Sequence, residues 1–157
     1  MIRRATIVAA GKLKGWPTNA CDDYLKRLRK HFPVEVVEVR EEDMNRRSQT
    51  EVLKTEADLL VKRIPEGAHL IALDRKRGKQ LSSEDCATKL SEFGTSGRSH
   101  VAFVLGGPLG LAPELLKRAD EMWSFGALTL PHALARVVLL EQLYRAVKIE
   151  RGEKYHW

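Results

Sequence analysis

The chain has 157 residues, of which 43% are hydrophobic and 31% are charged. This length suits one domain, spanning residues 1–157, with a sizeable core, and the composition excludes a disordered chain, a collagen-like repeat and a disulfide-built miniprotein. The net charge of +6 fits a nucleic-acid partner without establishing one.

The first half of the sequence alternates between strand and helix patterns. ATIVAA (5–10) predicts a first strand, and VEVVEV (34–39) predicts a second strand with one face toward the core. Between them, apolar residues recur at helical spacing from Cys21 to Phe32. Ser48 and Glu51 have the spacing of a capping box and open the next helix, whose predicted buried side consists of Leu53, Ala57, Leu60 and Ile64.

The second half continues the alternation. HLIAL (69–73) and HVAFVL (100–105) are nearly all apolar, as expected of strands covered on both faces. Ser82 with Asp85 starts another helix, as the N-cap of that helix. A short helix enters through Pro113, and residues 122–130 contain a fifth strand and a loop. A last helix runs from Pro131 and His132 to about Glu150. This order predicts an α/β fold, a single-domain sandwich around a largely parallel sheet.

The last helix, which contains ALARVVLLEQLYRAV, is apolar around most of its circumference. Such a helix needs cover on two sides. We therefore predict a homodimer in which the second cover is another subunit, and the alternative is a central helix in a thick domain.

Several patterns bear on location and on metals. The apolar stretch Ala5 to Ala10 is shorter than the core of a signal peptide, and the sequence has no run long enough to span a membrane. Cys21 and Cys86 fall on apolar stripes and predict buried free thiols. The histidines lack metal-ligand spacing. We therefore expect a cytoplasmic protein with no membrane partner and no metal.

The charge is concentrated in the first 30 residues, which hold eight basic and two acidic residues. Lys26, Arg27 and Lys30 lie opposite the apolar stripe of their helix and are predicted to bind RNA phosphates. The alternative is a solvated helix face, in which case the basic patch would be sought in a second cluster, made up of Arg75, Lys76, Arg77 and Lys79.

Three loops follow predicted strands in the second half: the loop after Leu73, GGPLG (106–110) and FGALTL (125–130). Parallel sheets bind ligands at the carboxyl ends of their strands, so these loops predict a pocket whose backbone groups bind the edges of an adenine. The glycines do not follow the first strand, and the sequence has no phosphate loop, no HExxH and no G-x-S-x-G elbow. Hydride transfer, P-loop phosphoryl transfer, zinc chemistry and serine hydrolysis are therefore disfavoured.

GGPLG, LTLPHALARVVLLEQLYRA and the closing RGEKYH, with GKLK near the start and LD after HLIA, together resemble one known family. It is the bacterial ribosomal RNA large-subunit methyltransferase H family, within the SPOUT (α/β-knot) methyltransferases. The resemblance covers essentially the whole chain. It implies a homodimeric enzyme that uses S-adenosylmethionine to methylate N3 of a pseudouridine in 23S rRNA of the assembled ribosome. It also implies a deep trefoil knot in the C-terminal part.

The resemblance places the cofactor against residues of the same three loops, namely Leu73, Gly106, Phe125, Gly126, Ala127, Leu128, Thr129 and Leu130. For the chemistry, the candidate catalytic residues are His132, Glu141, Arg145, Tyr155 and His156. Arg145 is a candidate for stabilising negative charge on the base, and His156 for accepting its proton.

Each of these assignments has a plainer alternative. Glu141 and Arg145 are four residues apart on a helix and also fit a surface ion pair. His132 fits a group that only fixes its loop, and His156 fits a frayed chain end. For the whole protein, two other functions remain open: a non-catalytic ribosome-binding module that retains a nucleotide pocket, and an α/β enzyme that acts on a free nucleotide.

Overall fold

The computed structural model describes residues 1–45 and 47–155. These residues form one six-stranded sheet flanked by helices. The strands are β1 (Arg4–Ala10), β2 (Val34–Val39), β3 (His69–Leu73), β4 (Lys79–Gln80), β5 (His100–Leu105) and β6 (Glu121–Ser124). The helices are α1 (Trp16–Leu28), α2 (Gln49–Val61), α3 (Ser83–Thr95), α4 (Pro113–Arg118) and α5 (His132–Glu150).

All strands of the sheet run parallel, in the order β2-β1-β5-β3-β6-β4. The predicted α/β architecture is therefore confirmed. The prediction missed β4, which pairs through two residues with the far side of β6. Lys79 and Gln80 are polar and exposed, so they carry no strand pattern. Because every strand points the same way, the loops that follow them gather at one edge of the sheet.

Alternate residues of the central strands face two separate hydrophobic cores. Ile7 of β1 and Phe103 of β5 lie in the core beneath α1, α3 and α5. Val8 and Val104, their neighbours in sequence, lie in the core beneath α2 and α4. This two-sided burial explains why these strands are apolar at consecutive positions.

The helix starts follow their capping signals. The Ser48 side chain accepts the Glu51 N–H at 3.2 Å, and Ser82 accepts the Asp85 N–H at 3.0 Å, so both predicted caps are confirmed. Helix α1 begins at Trp16, five residues before the start that its apolar stripe indicated. Pro17 in the first turn, after Gly15 with φ of +74°, is the signal that the stripe did not include.

Helix α5 packs against both α1 and α3. Its Leu139, Leu140 and Leu143 are buried in the first core. A second stripe at helical spacing stays half-buried on the outer side and consists of Leu134, Val138, Glu141 and Arg145. This arrangement leaves a mixed outer face on α5, and the homodimer stays a prediction, as does the trefoil knot.

Both cysteines are buried and free, as predicted. Burial raises the pKa of the Cys86 thiol to about 11. The thiol is therefore neutral at physiological pH and is a packing group of the first core.

Candidate active site

The loops after β3, β5 and β6 meet at the carboxyl edge of the sheet and enclose a cavity of about 750 Å³. Seven of the eight predicted cofactor residues line it: Leu73, Gly106, Phe125, Gly126, Leu128, Thr129 and Leu130. Ala127 does not line the cavity, and its carbonyl instead accepts the Arg75 Nη1 at 3.0 Å. The structure therefore brings the three predicted loops together at a single site.

The GGPLG loop folds back on itself directly after β5. Gly107 and Gly110 form an isolated bridge, and the Gly110 N–H donates to the Gly107 carbonyl at 3.0 Å. A Cβ atom on Gly106 would lie 2.1 Å from the Gly110 carbonyl oxygen. Glycine at position 106 is therefore required by the close approach of two backbone segments.

The loop from 125 to 130 is held at its start by Ser124, a buried residue. Its hydroxyl donates to the Arg75 carbonyl at 3.0 Å and accepts the Gly126 N–H at 3.1 Å. The hydrogen bonds of the Ser124 hydroxyl and the Arg75–Ala127 hydrogen bond together connect the loop after β3 to the loop after β6. Ser124 was not among the predicted residues, because a serine at a strand end has many other uses. Arg75 was predicted only as part of an alternative basic patch.

The rim of the cavity carries charged side chains of both signs, including Asp74, and a histidine. Arg75 and Lys76 line the cavity from the loop after β3, and His132 lines it from the start of α5. A Cβ atom on Gly11 would lie 3.2 Å from the His132 Nε2 and 3.0 Å from the Glu41 Oε2. Gly11, the first residue of GKLK, therefore lies close to His132 beside the cavity.

Three other candidate catalytic residues form a cluster, two of them on the second half of α5 and the third, Tyr155, just beyond the end of that helix. The Glu141 Oε1 accepts the Arg145 Nη2 at 2.6 Å and the Arg145 Nε at 3.0 Å, and the Tyr155 hydroxyl lies 3.4 Å from the same oxygen. Both members of this ion pair are only about a fifth to a quarter exposed. The ion pair of the plainer alternative is therefore present, although both of its members are partly buried, and the catalytic role of the two residues stays a prediction.

Two pKa shifts describe this cluster. Burial, followed by hydrogen bonding to Tyr24, raises the pKa of Tyr155 to about 12. The hydrogen bond to Glu141 raises the pKa of Arg145. Near neutral pH, Tyr155 therefore carries its proton and acts as a hydrogen-bond donor, and Arg145 is a fixed cation. His156, the candidate proton acceptor, lies outside the described residues.

Within one chain, this cluster is separated from the cavity. Ala135 is the last residue of α5 that lines the cavity, and Arg145 follows it by ten residues, or about 15 Å of helix. The structure thus divides the candidate catalytic residues between two places. His132 lies at the cofactor cavity, whereas Glu141, Arg145 and Tyr155 lie toward the other end of α5.

A basic cleft of about 400 Å³ lies between α1 and the end of α5. Its lining includes two of the three predicted RNA-binding residues, Arg27 and Lys30, and five others: His31, Tyr144, Lys148, Arg151 and Glu153. Lys26 is exposed on the same helix but does not line this cleft. The basic residues at the end of α5 were not among the predicted RNA-binding residues, because Lys148 and Arg151 are more than 110 residues away from α1 in the chain.

The cavity fits a nucleotide-derived ligand. Its volume lies within the range of small-molecule sites, roughly 300–1,000 Å³. Its walls combine apolar side chains, such as Leu73 and Phe125, with the backbone of two glycine-containing loops. That combination suits an adenine ring together with polar groups that bind to backbone N–H and C=O.

Comparison with known proteins decides the family. The model of the family described as predicted SPOUT methyltransferases matches residues 3–156. A protein of Rubrobacter xylanophilus named ribosomal RNA large subunit methyltransferase H is 66% identical over 158 residues, which cover all of both chains. The chain belongs to this family of SPOUT methyltransferases. A protein of the same name from Acetivibrio thermocellus is 45% identical, covering 98% of this chain and 99% of the relative.

Solved structures support the fold of this methyltransferase. A probable methylase family protein from Haemophilus influenzae has a TM-score of 0.55 at 15% identity, covering 97% of this chain and 68% of the other. A probable methyltransferase from Bordetella pertussis has a TM-score of 0.54 at 19% identity, covering 93% and 96%. At these identities the likeness concerns the fold alone.

Members of the SPOUT family use S-adenosylmethionine, and so does this methyltransferase. The cavity at the carboxyl edge, with its seven predicted lining residues, suits this cofactor. Among residues 1–45 and 47–155, no helix is long and apolar enough to cross a membrane. The same part of the chain contains no group of three or more histidine, cysteine or acidic side chains arranged to hold a metal ion.

Proposed function

We propose that this methyltransferase methylates N3 of a pseudouridine in 23S rRNA of the assembled ribosome, in the cytoplasm. The name of the Rubrobacter relative supports the large-subunit rRNA substrate. The choice of N3 of a pseudouridine in the assembled ribosome rests on the family resemblance of LTLPHALARVVLLEQLYRA and RGEKYH. The observation that carries the proposal is the cavity, because the three loops expected to bind the cofactor meet there.

S-adenosylmethionine supplies the methyl group. The residues of the chain must orient the base and manage charge, because N3 of a pseudouridine loses a proton as its bond to carbon forms. Arg145 remains protonated and stabilises negative charge on the base. Glu141 holds the Arg145 guanidinium through two hydrogen bonds, and Tyr155 donates to Glu141 or to the base. His156 accepts the proton, and His132 orders the cavity edge.

These roles require two copies of the chain. About 15 Å of helix separates Arg145 from the cavity of its own subunit, which is farther than an arginine side chain reaches. A two-fold dimer through the outer face of α5 sets the cluster of one subunit against the cavity of its partner. The half-buried stripe that includes Leu134 and Val138 is the surface that such a dimer would cover.

RNA binding is assigned to the basic cleft and to Lys26 beside it. Arg27 and Lys30 provide cations from the end of α1 and just beyond it, and Lys148 and Arg151 provide them from the end of α5, where both pair with Glu153. Burial, followed by the charges of Arg151 and Lys148, lowers the pKa of His31, so the cleft holds a neutral imidazole among cations. These cations would neutralise an RNA phosphate. The Tyr144 ring already holds the Arg27 guanidinium and the Lys148 ammonium, at 5.7 and 5.2 Å from its centroid, and so positions two of the cations.

Mixing two inactive variants tests the shared site directly. Gly106→Val removes the cavity and Arg145→Ala removes the cluster, so each pure dimer is expected to be inactive. If the site is shared, one site in each mixed dimer is intact. Random subunit exchange then restores about a quarter of the wild-type activity per subunit on ribosomes. An inactive mixture of dimers with proven exchange would contradict the shared site.

The ribosome-binding alternative has its own outcome. A non-catalytic module would bind ribosomes, and its nucleotide pocket could also bind S-adenosylmethionine. Such a module would transfer no methyl group. Methyl transfer to 23S rRNA by the wild-type protein, followed with isotope-labelled cofactor, excludes that alternative.

A further inference from the structure

Glu56 is a buried acidic side chain to which the proposed mechanism gives no role. It is 3% exposed and lies on α2, where its neighbour Ala57 and Leu60, one turn further on, fill the second core. Burial is the main cause that raises the pKa of its carboxyl, and the nearby Glu41 raises it further. Among the described residues, no basic side chain forms an ion pair with it. A buried carboxylate in such a place must be stabilised by other groups.

The groups that stabilise Glu56 belong to two loops at the carboxyl edge of the sheet. The Glu42 N–H, in the loop after β2, donates to its Oε2 at 3.2 Å. The Gly107 N–H, in the loop after β5, also favours the ionised form and lowers the pKa. Gly107 packs tightly on the carboxylate, since a Cβ atom there would lie 3.1 Å from the Oε1.

The position of Gly107 matters because it closes the loop that lines the cavity. It forms the bridge with Gly110, and its carbonyl accepts the Gly110 N–H. Glycines are free to adopt many backbone conformations, so a loop of this composition needs external contacts to keep one shape. Within the described structure, Glu56 supplies such a contact to Gly107 and is not itself among the residues that line the cavity.

We propose that Glu56 is a positioning residue, which fixes the peptide of Gly107 and thereby holds the Gly106–Gly110 loop in the shape that binds S-adenosylmethionine. The carboxylate accepts backbone N–H groups from both loops, and hydrogen bonds to an ionised acceptor are stronger than those to a neutral one. It therefore couples the loop after β2 to the cofactor loop across β1. This inference rests on the proposed assignment of the GGPLG loop to cofactor binding.

The variant Glu56→Gln tests this role with little change in shape. Its amide oxygen can accept one N–H, but its NH2 group faces the other donor. We expect the dissociation constant for S-adenosylmethionine, measured by calorimetry, to rise about 10- to 100-fold. We expect the KM for the cofactor to rise in parallel, while kcat at saturating cofactor stays within about twofold of wild type.

Two variants on the same helix serve as controls. Leu60→Ala removes a buried side chain from the same core without touching the loop, so it lowers stability alone. Asp58→Asn makes the same charge change at an exposed position. Both are expected to bind the cofactor as wild type does under conditions in which circular dichroism shows them folded.

Glu56→Asp keeps the charge but retracts the carboxylate, so it should restore part of the lost affinity, and it replaces Glu56→Gln if that variant does not fold. Unchanged affinity in the tested Glu56 variant, or an equal loss in Leu60→Ala, would overturn the inference. A wild-type protein that binds the cofactor but does not methylate ribosomes would contradict the proposed function and leave this inference standing.

Discussion

Gly106→Val is the substitution for which the structure gives the clearest steric expectation. A Cβ atom at this position would lie 2.1 Å from the Gly110 carbonyl oxygen and 2.5 Å from its carbonyl carbon. Both atoms are backbone, so no side chain can rotate away. The GGPLG loop must move by about 1 Å, and a misplacement of that size at a binding site reduces function by about a hundredfold.

The φ angle of Gly106 is not positive, so the expected effect is steric and owes nothing to backbone strain. We expect Gly106→Val to weaken S-adenosylmethionine binding by about a hundredfold or more, measured by calorimetry on the folded variant. The control is Gly97→Ala, at a glycine with φ of +81° and open space around it, which precedes β5, whereas the GGPLG loop follows the opposite end of that strand. That variant carries strain without a clash at the cavity and should bind the cofactor normally.

Normal cofactor binding by a folded Gly106→Val protein would refute the assignment of the cavity. Equal weakening in Gly97→Ala would show that the loss reflects general destabilisation. Urea unfolding of both variants measures that destabilisation separately.

Three further predictions concern stability, RNA binding and assembly. Arg136 is buried and donates to the Glu38 Oε2 at 2.6 Å. Burial raises the pKa of Glu38, but the hydrogen bonds from Arg136 and Leu13 outweigh it and the net pKa is lowered from 4.5. Glu38 therefore stabilises the fold above about pH 4.5, and that stability is lost as the pH falls through the lowered pKa. Arg136→Met should lower the free energy of unfolding by about 3 kcal/mol, measured with urea at pH 7, and should flatten its dependence on acid pH. An unchanged acid dependence would contradict this prediction. Replacing Lys26, Arg27 and Lys30 by glutamine should lower the slope of log affinity for rRNA against log salt concentration by about three units, while the affinity for the cofactor stays unchanged. An unaltered slope would show that this helix face is only solvated. If the protein is the proposed dimer, Val138→Glu should appear as a monomer in light scattering. A wild-type monomer at micromolar concentration would contradict the proposed dimer itself.

The fold was predictable because its strands and caps have strong local signals. The apolar runs at 69–73 and 100–105 and the capping boxes at Ser48 and Ser82 appear in the structure at the predicted places. Strand β4 was not predictable, since two polar residues join the sheet only because β6 offers a free edge. The start of α1 was set by Pro17 rather than by the apolar stripe.

The site was predictable where it depends on strand ends and glycines. Loops that follow parallel strands must meet at one edge, and the cavity lies there. Glu56 and Ser124 were not predictable, because their roles depend on contacts between segments distant in sequence. The same holds for the basic cleft, in which Lys148 and Arg151 join Arg27 only after α5 packs on α1.

The central claim is that this chain methylates a pseudouridine of 23S rRNA. Mass mapping of rRNA from cells with and without the protein tests it most directly. We expect one 23S rRNA fragment to be lighter by a single methyl group when the protein is absent. Restoring the wild-type gene should restore the methyl group, whereas a gene encoding Gly106→Val should not. Identical fragment masses in both kinds of cell would contradict the account.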